Sequence, residues 1–204
     1  TRNMTPVLIG VAGPSGAGKS TFCRRVLDTV PGMSRLKLDD YFVDDTEVDH
    51  HPMGYAYWDH PASIKWDGLV EAAQSLKQGR SAVVPNYERA INKMVGTKIV
   101  EPSDYILVDG YQVLYHPDLR DLLDLKLYFD LEEDIQVDRR IMRQPDVDRG
   151  YLYHVMIPAA RAFLYPTKRY ADFVIDANGT PEEVFENGVR ALWQLGIPPL
   201  KRGG

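Results

Sequence analysis

The stretch GVAGPSGAGKST, residues 10–21, decides the fold of this chain. Its segment 13–20 matches the phosphate-loop pattern G-x-x-x-x-G-K-[ST] at every fixed position. In such a loop the glycines let backbone N–H groups surround an anion, the lysine reaches the outer phosphates and the hydroxyl can bind Mg²⁺. The positive end of the following helix faces the same anion. We therefore predict a nucleotide site formed by Gly13, Ser15, Gly16, Ala17, Gly18, Lys19, Ser20 and Thr21.

Strand-like and helix-like patterns alternate outward from this loop. Short apolar runs predict strands at residues 7–11, 36–38, 105–108, 125–131 and 173–175. Helical spacing and end signals predict helices at residues 20–30, 66–78, 132–143 and 180–195. Thr180, Pro181 and Glu183 supply the cap, the first-turn proline and the capping-box acid of the last helix. This alternation predicts an α/β fold of three layers with a mostly parallel sheet.

Residues 81–102 differ from the predicted core strands because they are punctuated by Pro85 and Pro102. Proline cannot donate a ladder hydrogen bond, so central strands rarely contain it. We expect this segment to form an extended excursion beside the main sheet. Two terminal segments are expected to lie outside the fold. TRN precedes Met4, a natural starting residue, and the tail IPPLKRGG is expected to fray.

Composition narrows the class of protein. The length of 204 residues suits one domain, which we predict for residues 1–204. The 44% hydrophobic content is that of a globular chain, and the absence of a bilayer-length apolar run predicts no membrane partner. A net charge of -5 disfavours binding to a nucleic acid polymer. The single cysteine, Cys23, allows no internal disulfide, so we expect a cytoplasmic location.

Two acidic residues follow predicted strands and are candidates for chemistry. Asp109 ends the apolar strand 105–108 and is placed to hold Mg²⁺, directly or through water. The alternative is a turn aspartate before Gly110. Asp39 is the candidate base, since a carboxylate near the γ-phosphate accepts a proton from an attacking hydroxyl. For Asp39 or the adjacent Asp40 the alternative is a helix cap or a solvated loop acid.

Four arginines cluster at the end of one predicted helix and in the loop after it. They are Arg139, Arg140, Arg143 and Arg149. Guanidinium groups match the spread charge of a transferring phosphoryl group, so this segment is predicted to form a lid over the nucleotide. The alternative is a solvated helix face paired with acids at the helix start, Glu132, Glu133 and Asp134.

Beyond the phosphate loop, six segments in order carry a resemblance to a known family. They are LDDYF (38–42), YWDHPASIKWD (57–67), VPNYE (84–88), ILVDG (106–110), DRRIMR with DRG (138–150) and YPTKRYAD (165–172). Together they resemble the uridine kinase group of the phosphoribulokinase and uridine kinase superfamily over residues 9–175. The resemblance implies a P-loop NTPase fold with a five-stranded parallel sheet, a β-excursion near the substrate and an arginine-bearing lid. It also implies dimers or tetramers, which are common in this family.

The resemblance further implies transfer of the ATP γ-phosphate to the 5′-hydroxyl of a nucleoside, with ATP and Mg²⁺ as cofactors. The implied catalytic residues are Asp39, Lys19, Arg140 and Arg143, and Arg143 also contacts ATP. The implied metal residues are Ser20, Asp39 and Asp109, the last where many members have glutamate. The implied acceptor residues are Asp39, Asp59 for the ribose hydroxyls, Tyr87 for the base, Arg140 and Arg149.

Three departures concern the acceptor. Asn92 stands where pyrimidine kinases of the family have histidine, and Tyr151 replaces the last arginine of an E-R-G-R lid sequence. The segment between Gly150 and Pro158 is shorter than theirs by roughly two helical turns. GYLYHVMIP, residues 150–158, instead resembles nicotinamide riboside kinases of the same superfamily. A nicotinamide riboside or other sugar acceptor is therefore an alternative, and a non-catalytic nucleotide-binding regulatory module is an alternative of another class.

Overall fold

The computed structural model describes residues 5–194 and 196–197 of the chain. The described residues contain seven strands: β1 (Val7–Ala12), β2 (Met33–Lys37), β3 (Ala82–Glu88), β4 (Lys93–Val100), β5 (Tyr105–Asp109), β6 (Leu125–Asp130) and β7 (Phe173–Asp176). Five of them form the central sheet in the order β2-β5-β1-β6-β7. All four pairings in this sheet are parallel. The predicted five-stranded parallel sheet is confirmed, and β1 at its centre leads directly into the phosphate loop.

Helices cover both faces of this sheet. They include α1 (Lys19–Thr29), α2 (Trp66–Lys77), α3 (Pro117–Leu122), α4 (Glu133–Arg143) and, after β7, α7 (Pro181–Gln194). Between α4 and β7 lies a winding helical segment, made of α5 (Arg149–Tyr151), a π-helical stretch (Leu152–Met156), α6 (Ile157–Ala159), a second π-helical stretch (Ala160–Leu164) and a 3₁₀ turn (Tyr165–Tyr170). Within the described residues, no helix combines the length and apolarity needed to cross a bilayer.

Successive residues of β1 face opposite sides of the sheet, which produces two cores. Leu8 packs with Ile106, Tyr128 and residues of α2 on one face. Ile9 and Val11 pack on the other face with residues of α1 and α7. Both layers bury apolar side chains completely, with Leu8 and Ile9 each 0% exposed. The site-forming loops therefore emerge from a rigid sheet that is packed on both sides.

The segment 81–102 lies outside the central sheet, as predicted, and forms a separate two-stranded sheet. Strands β3 and β4 pair antiparallel, with an irregularity between Asn86 and Tyr87. Residues 89–92 connect them, and Asn92 has a positive φ of 47°. Asparagine tolerates this left-handed conformation better than most residues do, which suits it to the turn. The hairpin thus places residues 89–92 beside the main domain.

The structure corrects two local predictions. Strand β2 ends at Lys37 rather than Leu38, so Asp39 lies in a 3₁₀ turn, Leu38–Tyr41. This turn forms because the buried Leu38 and Tyr41 anchor its two ends in the core. Arg149 starts α5 instead of lying in a loop, because the Asp148 side chain caps that turn by accepting from the Gly150 N–H at 2.7 Å.

The start of the last helix, α7, is predicted correctly. The Glu183 N–H donates to the Thr180 hydroxyl at 3.3 Å, and the Thr180 N–H donates to the Glu183 carboxylate at 2.7 Å. This is the capping box that the sequence predicts. The expected extra residues at the start lie outside the described residues, and so does the tail expected to fray, apart from Ile197. Ile197 is buried, and its N–H donates to the Leu192 carbonyl at 3.0 Å, so the expectation of fraying is wrong for this residue.

Candidate active site

The parallel sheet brings the loops after β1, β2 and β5 to one edge, because the carboxyl ends of its strands point the same way. A cavity of about 320 Å³ opens there. We call it the phosphate-loop cavity. Its lining residues are Ser15, Gly16, Gly18, Lys19, Ser20, Thr21, Lys37, Asp39, Asp109, Gly110, Tyr111 and Arg143. Most of the predicted nucleotide and metal residues therefore meet in one place.

The phosphate loop requires glycine at its turning points. Gly16 and Gly18 have φ values of 90° and 87°, which side chains rarely adopt. At Gly13, also at positive φ, an added Cβ would lie 2.4 Å from the carbonyl oxygen of Phe129. Gly18 immediately precedes α1. The loop therefore wraps around the N-terminus of α1, where backbone N–H groups attract an anion.

Lys19 lies at the start of α1 and is buried inside the loop. Its Nζ donates to the carbonyl oxygen of Pro14 at 2.8 Å. Burial lowers the pKa of Lys19, while the nearby carboxylates of Asp109 and Asp39 act in the opposite direction. The ammonium is thus held inside the ring where an incoming phosphate would place its charge.

The arginines of α4 divide into two roles. Arg139 braces the phosphate loop: its guanidinium donates to the carbonyl oxygen of Gly16 at 2.9 Å and to those of Asn178 and Gly179, after β7, at 3.2 and 2.8 Å. Arg143 lies in the cavity, and its guanidinium donates to the Ser15 hydroxyl at 2.9 Å. Burial, followed by the charge of Arg140, lowers the pKa of Arg143.

The acids at the start of α4 do not neutralise these arginines. Glu133 pairs instead with Arg161, whose Nε donates to Glu133 Oε2 at 2.9 Å. Among the described residues, no carboxylate lies within 4.0 Å of the guanidinium of Arg139 or Arg143. The pairing with these acids is therefore not observed for these two arginines, although Arg143 is exposed to solvent.

A second cavity of about 590 Å³ adjoins the first, and the two share Ser15, Asp39, Tyr111 and Arg143. We call it the second cavity. The second cavity is also lined by Arg140, another predicted arginine, beside Arg143. Its other lining residues are Phe42, Tyr55, Trp58, Asp59, Arg89, Asn92, Gln144, Val147, Asp148, Tyr151 and Met156. The shared boundary is where a group in one cavity can react with a group in the other.

The neighbouring acids Asp39 and Asp40 point to different partners. Asp40 is 7% exposed and pairs with Lys98 of β4 at 2.7 Å. Asp39 lines both cavities and reaches solvent through them. Surrounding protein atoms still desolvate its carboxylate, and this burial raises the pKa of Asp39 against the opposing charge of Arg89. Asp39 is therefore the acid at the boundary, while Asp40 attaches the 3₁₀ turn to the hairpin.

Asp59, for which the resemblance implies contact with ribose hydroxyls, lines the second cavity. The Tyr151 hydroxyl donates to Asp59 Oδ2, which ties α5 to this carboxylate. The Asp59 carbonyl accepts from Gln112 Nε2 at 2.8 Å. Burial raises the pKa of Asp59, and the hydrogen bond from Tyr151 and the charge of Arg140 oppose this rise. Tyr151 thus holds the Asp59 side chain, and Gln112 holds its backbone.

Two predicted acceptor residues are not among the residues that line the second cavity. Tyr87 packs against Phe42, with ring centroids 6.0 Å apart, and its hydroxyl donates to the Val43 carbonyl at 2.8 Å. Arg149 is exposed on α5. Tyr87 supports the cavity wall through Phe42, since its position on β3 turns its side chain into the core.

Sequence reasoning missed several residues of the site, among them Arg35, Arg89 and Tyr111. Arg89 and Tyr111 line the second cavity, and Arg35 contacts the metal candidates. Tyr111 directly follows Asp109 and Gly110, so its position in the sequence could have indicated that it lies at the site. Arg89 and Arg35 had no such sequence signal, because an isolated arginine in a hairpin turn or an edge strand has no distinctive spacing.

The candidate metal residues offer only oxygen atoms. Ser20, Asp39 and Asp109 all line the phosphate-loop cavity. Among the described residues, no cluster of three His, Cys, Asp or Glu side chains could hold a metal by itself. This donor set fits Mg²⁺, which takes hard oxygen ligands and is usually bound by one or two carboxylates together with substrate phosphates. The residues present therefore fit the ion that the resemblance implies.

The fold and the site together define a P-loop nucleotide-binding protein, with a phosphate loop after the central strand and a second cavity beside it. The model of the Phosphoribulokinase / Uridine kinase family matches residues 8–182, so the chain belongs to this family.

Similar proteins agree with this assignment. A uridine kinase of Streptococcus uberis is 34% identical, with 83% of this chain and 86% of that protein covered. A uridine kinase of Deinococcus deserti is 32% identical, with 91% and 95% covered. The solved structure of phosphoribulokinase from Rhodobacter spheroides is similar with a TM-score of 0.62 at 12% identity, covering 87% of this chain and 74% of that one. At that identity the structural likeness concerns the fold alone.

Proposed function

We propose that this protein is an ATP-dependent kinase that transfers the γ-phosphate to the 5′-hydroxyl of a nucleoside, with uridine as the first candidate. The observation that carries the proposal is the position of Asp39. This carboxylate lies on the boundary between the phosphate-loop cavity and the second cavity. Its position lets one group contact a nucleotide's terminal phosphate region and an acceptor hydroxyl.

In the proposed reaction, the phosphate loop binds the triphosphate of ATP and Lys19 contributes its positive charge. The acceptor occupies the second cavity, where Asp59 accepts hydrogen bonds from the ribose hydroxyls. Asp39 accepts the proton of the 5′-hydroxyl as that oxygen attacks the γ-phosphorus in line with the leaving group. Arg143 and Arg140 stabilise the negative charge of the transferring group from the α4 side.

The raised pKa of Asp39 suits a base better than an ordinary aspartate, because a more basic carboxylate accepts the proton more readily. Ser20 and Asp109, with Asp39 beside them, would hold the magnesium ion. The chemistry that a bound Mg²⁺ supplies is neutralisation of charge on the phosphate oxygens.

The names of the similar proteins support a nucleoside as the acceptor. The relatives from Streptococcus uberis and Deinococcus deserti are both uridine kinases, and the second is covered over 95% of its length. The comparisons do not favour the nicotinamide riboside or the regulatory alternative. Mg²⁺ as cofactor, assembly into oligomers, a cytoplasmic location and the lack of membrane or nucleic acid partners belong to the proposal as predictions.

The decisive experiment measures ADP release from Mg-ATP with uridine, cytidine, adenosine, nicotinamide riboside and simple sugars as acceptors. We expect release with uridine and its loss in Asp39→Asn, which removes the base while leaving the loop that binds ATP. Asp40→Asn is the matched control, because Asp40 pairs with Lys98 and lies outside the phosphate-loop cavity. Release with another acceptor alone would change the assigned substrate, and undiminished turnover by Asp39→Asn would remove Asp39 from its role.

A further inference from the structure

Arg35 of β2 lies across the residues assigned to the metal. Its Nε donates to Asp109 Oδ2 at 3.0 Å, and one of its terminal nitrogens makes a second contact with the same oxygen. That terminal nitrogen also lies 3.4 Å from the Ser20 hydroxyl oxygen, within donating distance. A single guanidinium thus contacts two of the oxygen groups that would bind a divalent cation.

Burial and strand register both hold Arg35 against Asp109. The side chains of Arg35 and Asp109 are only 17% and 6% exposed. They come from adjacent parallel strands, in which Arg35 is paired with Leu107 and Lys37 with Asp109. The sheet register therefore holds the guanidinium near the end of β5, and arginine keeps its charge at any physiological pH.

The Arg35 guanidinium and a divalent metal ion would repel each other if both contacted the Asp109 carboxylate. A like charge within a few ångströms opposes a second positive ion, and burial leaves little water to screen it. Metal can enter when additional negative charge arrives, and the phosphates of a nucleotide supply that charge. They also offer the guanidinium new oxygen acceptors, for which its planar fork is well suited.

We propose that Arg35 is a positioning residue that occupies the metal site of the nucleotide-free protein, so that the divalent cation binds with the nucleotide rather than before it. This rests on the proposed function only in assigning the metal to Ser20 and Asp109. The simpler reading is that Arg35 merely orients Asp109, in which case its removal would weaken metal binding. The two readings predict opposite changes in metal affinity.

The test is a titration of the nucleotide-free protein with Mn²⁺, followed by electron paramagnetic resonance. We expect weak binding by the wild type and binding roughly tenfold or more tighter by Arg35→Met, since removing a neighbouring like charge has effects of this order. Arg35→Lys, which retains the charge, is expected to keep the weak binding. Arg24→Met, an exposed arginine on α1, is the matched control and is expected to leave the affinity unchanged.

A second comparison tests whether Asp109 is the residue that binds the Mn²⁺ ion. Adding Asp109→Asn to Arg35→Met is expected to abolish the gain in Mn²⁺ affinity. In the wild type, ATP is expected to increase Mn²⁺ affinity by a larger factor than in Arg35→Met, because part of that increase comes from displacing Arg35. Circular dichroism spectra of each variant check the fold, and Arg35→Gln serves as the second neutral variant.

Three results would overturn the inference: tight Mn²⁺ binding by the nucleotide-free wild type, unchanged affinity in both folded neutral variants, or weaker binding in them. None depends on turnover. Failure of the proposed function would instead appear as ADP release that no acceptor stimulates, with the Mn²⁺ titrations unaffected. The two failures are therefore distinguishable.

Discussion

The Tyr151 hydroxyl donates a hydrogen bond to the Asp59 carboxylate and so joins α5 to the wall of the second cavity. Tyr151 stands where the family resemblance implies an arginine, so a neutral donor replaces a positive charge at this point. Burial and the carboxylate together raise the pKa of Tyr151 far above its ordinary value, which keeps the hydroxyl protonated as a donor. The contact connects the residue that departs from the family to the carboxylate assigned to the ribose.

Removal of this hydroxyl in Tyr151→Phe is expected to raise the KM for the acceptor about tenfold to a hundredfold, as the loss of one hydrogen bond to a charged group does. Asp59 would lose its orientation, and its pKa would rise further without that donor. The KM for ATP should not change. Steady-state kinetics with Tyr153→Phe, which alters an exposed neighbour, is the control. An unchanged acceptor KM would show that the contact serves the fold alone.

The pH dependence of turnover should report the environment of Asp39. Burial raises its pKa, so kcat/KM is expected to fall on the acid side at a pH above the ordinary range of aspartate, where the base becomes protonated. The charge of Arg89 opposes this rise. In Arg89→Met the acid limb is therefore expected to move to higher pH, by about one pH unit.

The control for this pH profile is Arg80→Met, which changes an exposed arginine just before β3 and should leave the profile in place. An acid limb that moves to lower pH in Arg89→Met, or that shifts equally in both variants, would contradict the placement of Arg89 beside Asp39.

Arg139 is expected to stabilise both the protein and the nucleotide site. Arg139→Met removes the hydrogen bonds to the carbonyl oxygens of Gly16, Asn178 and Gly179. We expect a loss of about 1–2 kcal/mol in the free energy of unfolding and a raised KM for ATP, with the acceptor KM unchanged. Denaturant titrations and kinetics measure both effects.

Arg161→Met is the comparison for Arg139→Met, because it breaks an exposed pair with Glu133 and should lower the free energy of unfolding less than Arg139→Met does. Equal losses of stability in the two variants, with equal KM values for ATP, would rule out a special bracing role for Arg139.

The capping box of α7 provides a test of stability away from the chemistry. Thr180→Ala removes the hydroxyl that accepts from the Glu183 N–H and is expected to cost about 1 kcal/mol of unfolding free energy. For a chain of this size that loss corresponds to a Tm lower by about 2–4 °C. Thr180→Ser keeps the hydroxyl and should retain most of the stability. A kcat that falls along with the Tm would show that α7 also positions the site.

The order of strands and helices was predictable because each element carries a local signal. The buried strand Tyr105–Asp109 is an uninterrupted apolar run up to its last residue, and α7 begins with a capping box that needs only four consecutive residues. The short helix α3 and the winding segment from Arg149 to Tyr170 were not predicted. The first is only six residues long, and the second changes its helical period several times, so neither has a sustained repeat of 3.6 residues.

By itself, the sequence determined the phosphate loop and the α/β class, because these depend on backbone conformation and periodicity encoded by neighbouring residues. Only the tertiary structure decided which of the adjacent acids Asp39 and Asp40 faces the cavities. It also decided that Arg35 reaches Asp109. These contacts join residues far apart in the chain, and they depend on strand register and on the direction of each side chain, which no local pattern specifies.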